Sequence, residues 1–201
     1  MYRHFFKRLI GLLLAIIGLP FFAIIFVIVA PIIKLEDKGP VFYNAPRLGK
    51  NGKVFKMFKF RSMKVNAPDI RNEDGSTYNA ENDPRVTKIG RILRKTSIDE
   101  TPQLLNVLIG DMSIVGPRPD LTDGEMTKER IKKLSVRPGI TGYSQAFFRN
   151  SDSMEQRVKN DLYYVEKVSF LLDLKIIFKT VSTVFHHDNV YRNSGEENEN
   201  G

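Results

Sequence analysis

The chain has 201 residues, 42% of them apolar and 27% charged, which excludes general disorder and leaves room for one compact domain plus an accessory segment. It contains no cysteine, so a disulfide framework and a thiolate-ligated metal are excluded. A net charge of +8 favours a polyanionic neighbour (nucleic acid, anionic lipid or a phosphorylated substrate) without choosing among them.

The N-terminus makes that choice. Residues 9–33 are 25 consecutive positions without a charge, preceded by Arg3, Lys7 and Arg8 and followed by Lys34. About 20 such residues cross a bilayer core, whereas a cleaved signal peptide carries an apolar region of only about 7–15. Membrane attachment follows, and composition alone favours crossing. Pro20 lies near the middle of the run, where it removes a helix hydrogen bond and clashes with the turn before it. The alternative is therefore a helix that breaks there and returns to the same face.

Asp37-Lys38-Gly39-Pro40 ends this segment. Val41-Phe42-Tyr43 then reads as strand, Lys50-Asn51-Gly52-Lys53 as a hairpin turn, and Val54-Phe55 as the return strand. Lys56, Lys59 and Arg61 are interleaved with Phe58 and Phe60, so cations and aromatics are expected on opposite sides, the plain alternative being a solvated basic edge. Residues 66–84 are polar, contain Gly75 and two prolines, and read as a mobile loop. Residues 87–95 predict an amphipathic helix, with Ile89, Ile92 and Leu93 on one face and Lys88, Arg91 and Lys95 on the other. Such a helix suits an anionic lipid surface as well as an ordinary protein surface.

Next comes the pair Asp99-Glu100 at the start of an apolar helical run. Two neighbouring carboxylates suit a divalent cation. The structural alternative is a capping box, Ser97-Ile98-Asp99-Glu100, in which Glu100 reaches back to the Ser97 amide; with Asp99 as the cap instead, Pro102 falls where the amide is unpaired anyway. Spacing alone favours a cap. Against it, Arg91, Arg94 and Lys95 bring phosphate-binding charge up to the pair, and Gly116-Pro117-Arg118-Pro119 fixes the backbone around an arginine fork suited to phosphate.

Val136 to Tyr143, VRPGITGY, reads as a loop built on Pro138, Gly139 and Gly142, with Arg137 at its edge. Two amphipathic helices follow. Met154, Val158, Leu162 and Val165 mark the core face of the first, and Leu174, Ile177, Val181 and Val184 that of the second. The acidic tail from Asn193 is expected to be disordered. His4, His186 and His187 are dispersed, and no metal role is assigned to them.

In order along nearly the whole chain, FKRLIGLLLA, KLEDKGPVFY, FKMFKFRSM, RKTSIDETPQLLNVLIGDMSIVGPRPD, VRPGITG, DLYYV and FLLDLKII resemble the bacterial sugar transferases, the small monotopic phosphoglycosyl transferases. The resemblance implies transfer of a sugar 1-phosphate from a UDP-sugar to undecaprenyl phosphate, with release of UMP and a requirement for Mg²⁺. It implies Asp99 as nucleophile and metal ligand, Glu100 as its metal-binding partner, and Lys59, Arg94, Arg118, Pro119, Arg137 and Gln145 as substrate-binding positions. The fold implied is mainly α with a small β element (α+β), a monotopic membrane protein with an N-terminal re-entrant helix-break-helix at Pro20 and amphipathic interfacial helices. The division implied is a membrane anchor at 1–34, a cytosolic catalytic domain at 35–187 and a polar tail at 188–201, on the cytoplasmic face of the bacterial inner membrane. Inner-membrane lipids are its partners, with downstream glycosyltransferases as further candidates, and no nucleic acid; oligomeric state is left open. The competing reading is a membrane-anchored basic module that binds lipid or nucleic acid without catalysis.

Two departures stand out. The family commonly carries Ser-Pro at the helix break, where this chain has Leu19-Pro20, with Pro31 as a second break position. After VRPGITG many members continue Trp-Ala-Gln and then Asn-Gly-Arg-Asn, whereas here Tyr143-Ser144-Gln145 leads to Phe147-Phe148-Arg149-Asn150. Phe148 stands in place of a glycine, so a different donor preference is expected.

Overall fold

In the computed structural model of the chain, residues 2–72, 78, 80, 82–148 and 153–186 are described, the side chains of residues 4 and 184–186 aside. A short π-helical turn (Tyr2–Phe6) opens into α1 (Lys7–Asp37), and β1 (Phe42–Leu48) and β2 (Val54–Phe60) form an antiparallel hairpin. The chain continues through α2 (Lys88–Thr96), a 3-10 turn (Ile98–Glu100), α3 (Gln103–Ile109), β3 (Ser113–Val115) and α4 (Lys128–Lys133). It ends with β4 (Gly139–Thr141), α5 (Tyr143–Phe147), α6 (Met154–Lys167) and α7 (Phe170–His186). The molecule is mainly helical with a small β element, as expected.

The 31-residue α1 is one continuous helix that carries both Pro20 and Pro31 inside it, so the expected break at Pro20 does not interrupt it. Its length and composition suit a membrane anchor, with a mean hydropathy of 3.1 over its most apolar window. Ile17, Phe21, Ile24, Val27 and Ile28 are exposed along it.

The other side of α1 is fastened to the domain from end to end. At its start the Tyr2 hydroxyl donates to Asp173 at 2.5 Å, and Lys7 donates to the Tyr164 hydroxyl at 2.6 Å while pairing with Asp173 of α7. Midway, Ala15 packs with Phe55, Met57, Val107 and Met112. Further along, Phe22 and Phe26 lie against the Phe60 ring, which together with Val29, Ile33 and Leu93 forms a second core. At its end Glu36 accepts from the Lys88 and Ile89 amides at 2.7 and 3.2 Å, satisfying two orphan donors of α2. Asp37 receives the Arg61 guanidinium.

These contacts correct the reading of the basic strand. Core lies on both sides of the hairpin, so β2 buries Phe55 and Met57 toward one cluster and Phe60 toward the other, and strict alternation is lost. Arg61 is buried rather than solvated: it pairs with Asp37, and its Nε donates to the Pro40 carbonyl at 2.5 Å.

Two further expectations are corrected. VRPGITGY is not merely a loop, because β4 within it pairs in parallel with β3. On α7 the expected core face holds only in part: Ile177 packs on the core beside buried Asp173 and Ile176 and half-buried Leu172, whereas Leu174 and Val181 are exposed, in a row with Phe170, Leu171 and Phe178. The spacing was right for the helix, and the buried Asp173, bonded to Tyr164, lies on the packed side. Of the expected loop at 66–84, residues 73–77, 79 and 81 lie outside the described residues, as does the tail. The described part is held by buried Asp83 and Arg85, whose side chains meet at 2.6 Å, with Arg85 also donating to the Pro68 carbonyl at 2.8 Å.

Candidate active site

The site is built where α2 ends, α3 begins and β2 passes beneath. Gly90 is what brings α2 close: a Cβ there would stand 2.0 Å from the Ser62 carbonyl oxygen. With the helix seated, Arg94 Nε donates to Ser62 Oγ at 3.0 Å. The helix ends at Ser97, whose φ of 58° is left-handed, and the chain turns sharply into the 3-10 segment that carries the acidic pair.

Neither capping arrangement forms. Ser97 makes no side-chain cap bond, α3 has Pro102 and not Asp99 at its cap position, and the Glu100 carboxylate turns toward Lys59. The carboxylates are thus left for other work. Asp99 is buried, with Lys59 Nζ 3.9 Å from its Oδ2 and 2.5 Å from Glu100 Oε1. Burial pushes the Asp99 carboxyl up to about 6, opposed by Lys59, assisted by the neighbouring Glu100 and opposed again by Arg94.

Asn106, which the sequence reading passed over, sets the distance between dyad and strand. Fully buried on α3, it accepts from the Phe58 amide at 2.9 Å and donates to the Lys56 carbonyl at 2.8 Å. The side chain imitates a neighbouring strand and so fixes Lys59 opposite Asp99 and Glu100. A lone Asn inside Leu104-Leu105-Asn106-Val107-Leu108-Ile109 was the available signal, since a polar group there must find partners.

Of the predicted site residues, the structure brings Lys59, Arg94, Asp99 and Glu100 together. The described contacts of the others lie elsewhere. Arg118 is exposed, and its charge acts on Arg47 and Asp161; Pro119 follows it, and the next residue, Asp120, accepts the Leu48 amide at 2.9 Å. Gly116 is required in that turn, because a Cβ would meet the Arg137 carbonyl oxygen at 2.5 Å. Arg137 Nε donates to the Gly110 carbonyl at 2.8 Å, at the C-terminal end of α3. Gln145 is half-buried beside Gly142, and its Oε1 is buried with no hydrogen-bond partner among the described residues. No group of three or more His, Asp or Glu is clustered among the described residues.

Fold and site together define a membrane-attached protein whose paired carboxylates are set among cations, an arrangement suited to phosphate chemistry at a lipid surface. The chain belongs to the bacterial sugar transferase family, whose profile matches residues 2–187. It is 41% identical over 188 residues to the galactosyl transferase CpsE of Streptococcus agalactiae, covering 89% of this chain and 42% of that protein. It is 40% identical over 200 residues to the UDP-glucose:undecaprenyl-phosphate glucose-1-phosphate transferase of Escherichia coli, covering 92% of this chain and 41% of that protein. The exopolysaccharide production protein ExoY of Rhizobium meliloti is 41% identical over 192 residues, which cover 89% of this chain and 84% of that protein. The chain therefore spans about two fifths of the longer relatives and most of the shorter one.

Proposed function

We propose that the chain transfers a sugar 1-phosphate from a UDP-sugar to undecaprenyl phosphate through a covalent phospho-sugar ester of Asp99, opening a surface-glycan pathway. The observation that carries this reading is the buried Asp99 carboxylate beside Lys59 and Glu100, in a protein whose apolar helix is tied at both ends to the domain holding them. The chain's likeness to the UDP-glucose:undecaprenyl-phosphate glucose-1-phosphate transferases of Escherichia coli and Klebsiella pneumoniae supports the substrate class.

In the first step an Asp99 oxygen bonds to the sugar-bearing phosphorus, and the bond from that phosphorus to the UMP oxygen breaks, its electron pair leaving on UMP. In the second, a phosphate oxygen of the acceptor attacks the same phosphorus and the bond to Asp99 breaks. The products are the undecaprenyl diphosphate sugar and a free carboxylate. Lys59 holds Glu100 and places positive charge at the dyad, and Arg94 adds to the field that attracts diphosphate. Arg118, its backbone fixed by Pro117 and Pro119, and Gln145, with its unsatisfied carbonyl, are proposed substrate contacts.

The two carboxylates also fit Mg²⁺, a hard cation held by one or two carboxylates with substrate phosphates completing its shell, so the absence of a larger acidic cluster among the described residues is no obstacle. Bound there by Asp99 and Glu100, it would offset negative charge on the diphosphate.

The fastening of α1 supports a monotopic disposition. A straight helix of this length would extend about 46 Å, more than the ~30 Å bilayer core, yet contacts at both ends are made to one domain. A helix bent at Pro20 that dips into one leaflet meets both conditions, and a proline is the usual cause of such a bend. The exposed apolar row of α7, with Ile92 of α2, would lie at the interface. We accordingly retain an anchor at 1–34 and a catalytic domain at 35–187 on the cytoplasmic face.

The test is UMP release from a panel of UDP-sugars by the purified full chain with Mg²⁺ and undecaprenyl phosphate. Release with at least one donor is expected, and a loss of about a thousandfold or more in Asp99→Asn. No release with any donor would overturn the transferase reading, and full activity in the variant would overturn the nucleophile.

A further inference from the structure

At the end of α3 remote from Asp99, separated from it by the helix's rise of about 10 Å, lies a cavity of about 40 Å³ that the transfer chemistry leaves unused. Five of its lining residues are cations: Arg3, Lys7, Arg8, Lys50 and Arg137. Among the described residues no carboxylate lines it, and of the five only Lys7 is paired with an acid, Asp173.

Part of this gathering is structural. Arg8 donates to the Val107 and Leu108 carbonyls and Arg137 Nε to that of Gly110, so both guanidinium groups cap the C-terminal end of α3. Capping one short helix does not require two arginines, and it leaves Lys50 and Arg3 unexplained. Arg3 reaches only the Ser135 hydroxyl, at 3.1 Å. Burial, and to a lesser degree the adjacent Arg137 charge, hold the Arg8 guanidinium below its ordinary value, so two like charges stand close together here. An anion between them would relieve that repulsion.

Size narrows the ligand. At about 10–15 Å³ per water position, the cavity holds roughly three, enough for the oxygens of one phosphate, with the rest of a ligand outside it. Location narrows it further. The cavity opens at the start of α1, where Phe5, Phe6, Leu9 and Leu13 are exposed for lipid, so it sits at the depth of phospholipid headgroups.

We propose that this cavity binds one phosphate group, presented by a membrane phospholipid headgroup, and thereby fixes the depth of the anchor. The proposal depends on neither Asp99 nor the transfer reaction.

The test is the thermal midpoint of the full chain in neutral detergent, titrated with dihexanoyl phosphatidylglycerol, with dihexanoylglycerol lacking the phosphate, and with inorganic phosphate. A saturable rise with the phospholipid and none with the diacylglycerol is expected. Arg3→Gln with Lys50→Gln, both exposed positions, should weaken that affinity by about tenfold or more, as loss of charged contacts does, whereas Lys64→Gln with Lys128→Gln, removing the same charge elsewhere, should not. A rise with inorganic phosphate that the Arg3/Lys50 variant loses supports the phosphate site and names free phosphate as a second source. Equal effects of the two lipids, or equal weakening by the two double variants, would overturn the proposal.

Discussion

Phe148 stands at the end of α5, partly exposed, with its ring 6.2 Å from that of Tyr143. A glycine there would remove the ring that packs beside Tyr143. If the proposed reaction is right, Phe148→Gly should change the ratio of kcat/KM between two UDP-sugars by about tenfold, the scale on which pocket shape discriminates. Identical ranking of a donor panel by both proteins would count against a role in donor choice. At this scale the sequence was most informative where chemistry is carried by residue type. Asp99 and Glu100 were named from their pairing, Lys59 and Arg94 as substrate-binding positions through the family resemblance, and the structure brings the four together. The cap alternative for Asp99 fell to a single dihedral, the left-handed Ser97, which no spacing rule foresees. Asn106 escaped because its role needs a strand some fifty positions earlier.

Among elements, α3 depends on β2 through Asn106. Asn106→Leu keeps the size but abandons the Phe58 amide and the Lys56 carbonyl, at about 1–3 kcal/mol for each orphaned group. The thermal midpoint should fall by roughly 5–15 °C, and activity should fall with it as Lys59 loses its setting; an unchanged midpoint would show that water replaces the side chain. The loop before α2 has its own lock. Arg85 holds the Asp83 carboxyl below its usual range, the hydrogen bond outweighing the opposing effect of burial. A depressed carboxylate stabilises the fold above its unfolded value near 3.9, and the contribution is lost as pH falls through the lower folded value. Asp83→Asn should therefore cost about 3–5 kcal/mol at pH 7 by stranding a buried Arg85, and its deficit in urea should shrink below about pH 4. A deficit constant from pH 7 to pH 3 would contradict the ion-pair account. The longer helices were legible from periodicity, whereas α4 and α5, each under two turns, carry too little periodicity to be read. Of the stripe expected to face the core on α7, Ile177 packs there while Leu174 and Val181 are exposed.

On the scale of the molecule, the disposition of α1 decides which side of the membrane the domain occupies. Composition alone favoured a simple crossing; the proposed return to one face starts from the contacts of Tyr2, Lys7, Glu36 and Asp37 with a single domain. The chain has no cysteine, so labels can be placed freely. A cysteine added before Met1 and another at Lys53→Cys should both resist an impermeant thiol reagent in intact cells and react after permeabilisation. Modification of only one in intact cells would indicate crossing.

The bond between Lys7 and Asp173 joins positions 166 apart in sequence. During synthesis α1 emerges before α7, so it must wait for this partner while the residues between them are made. Contacts so distant in sequence are slow to form, and their closure would be the late event of folding. The domain would then mature on the lipid surface, with α1 as the template on which α7 is laid.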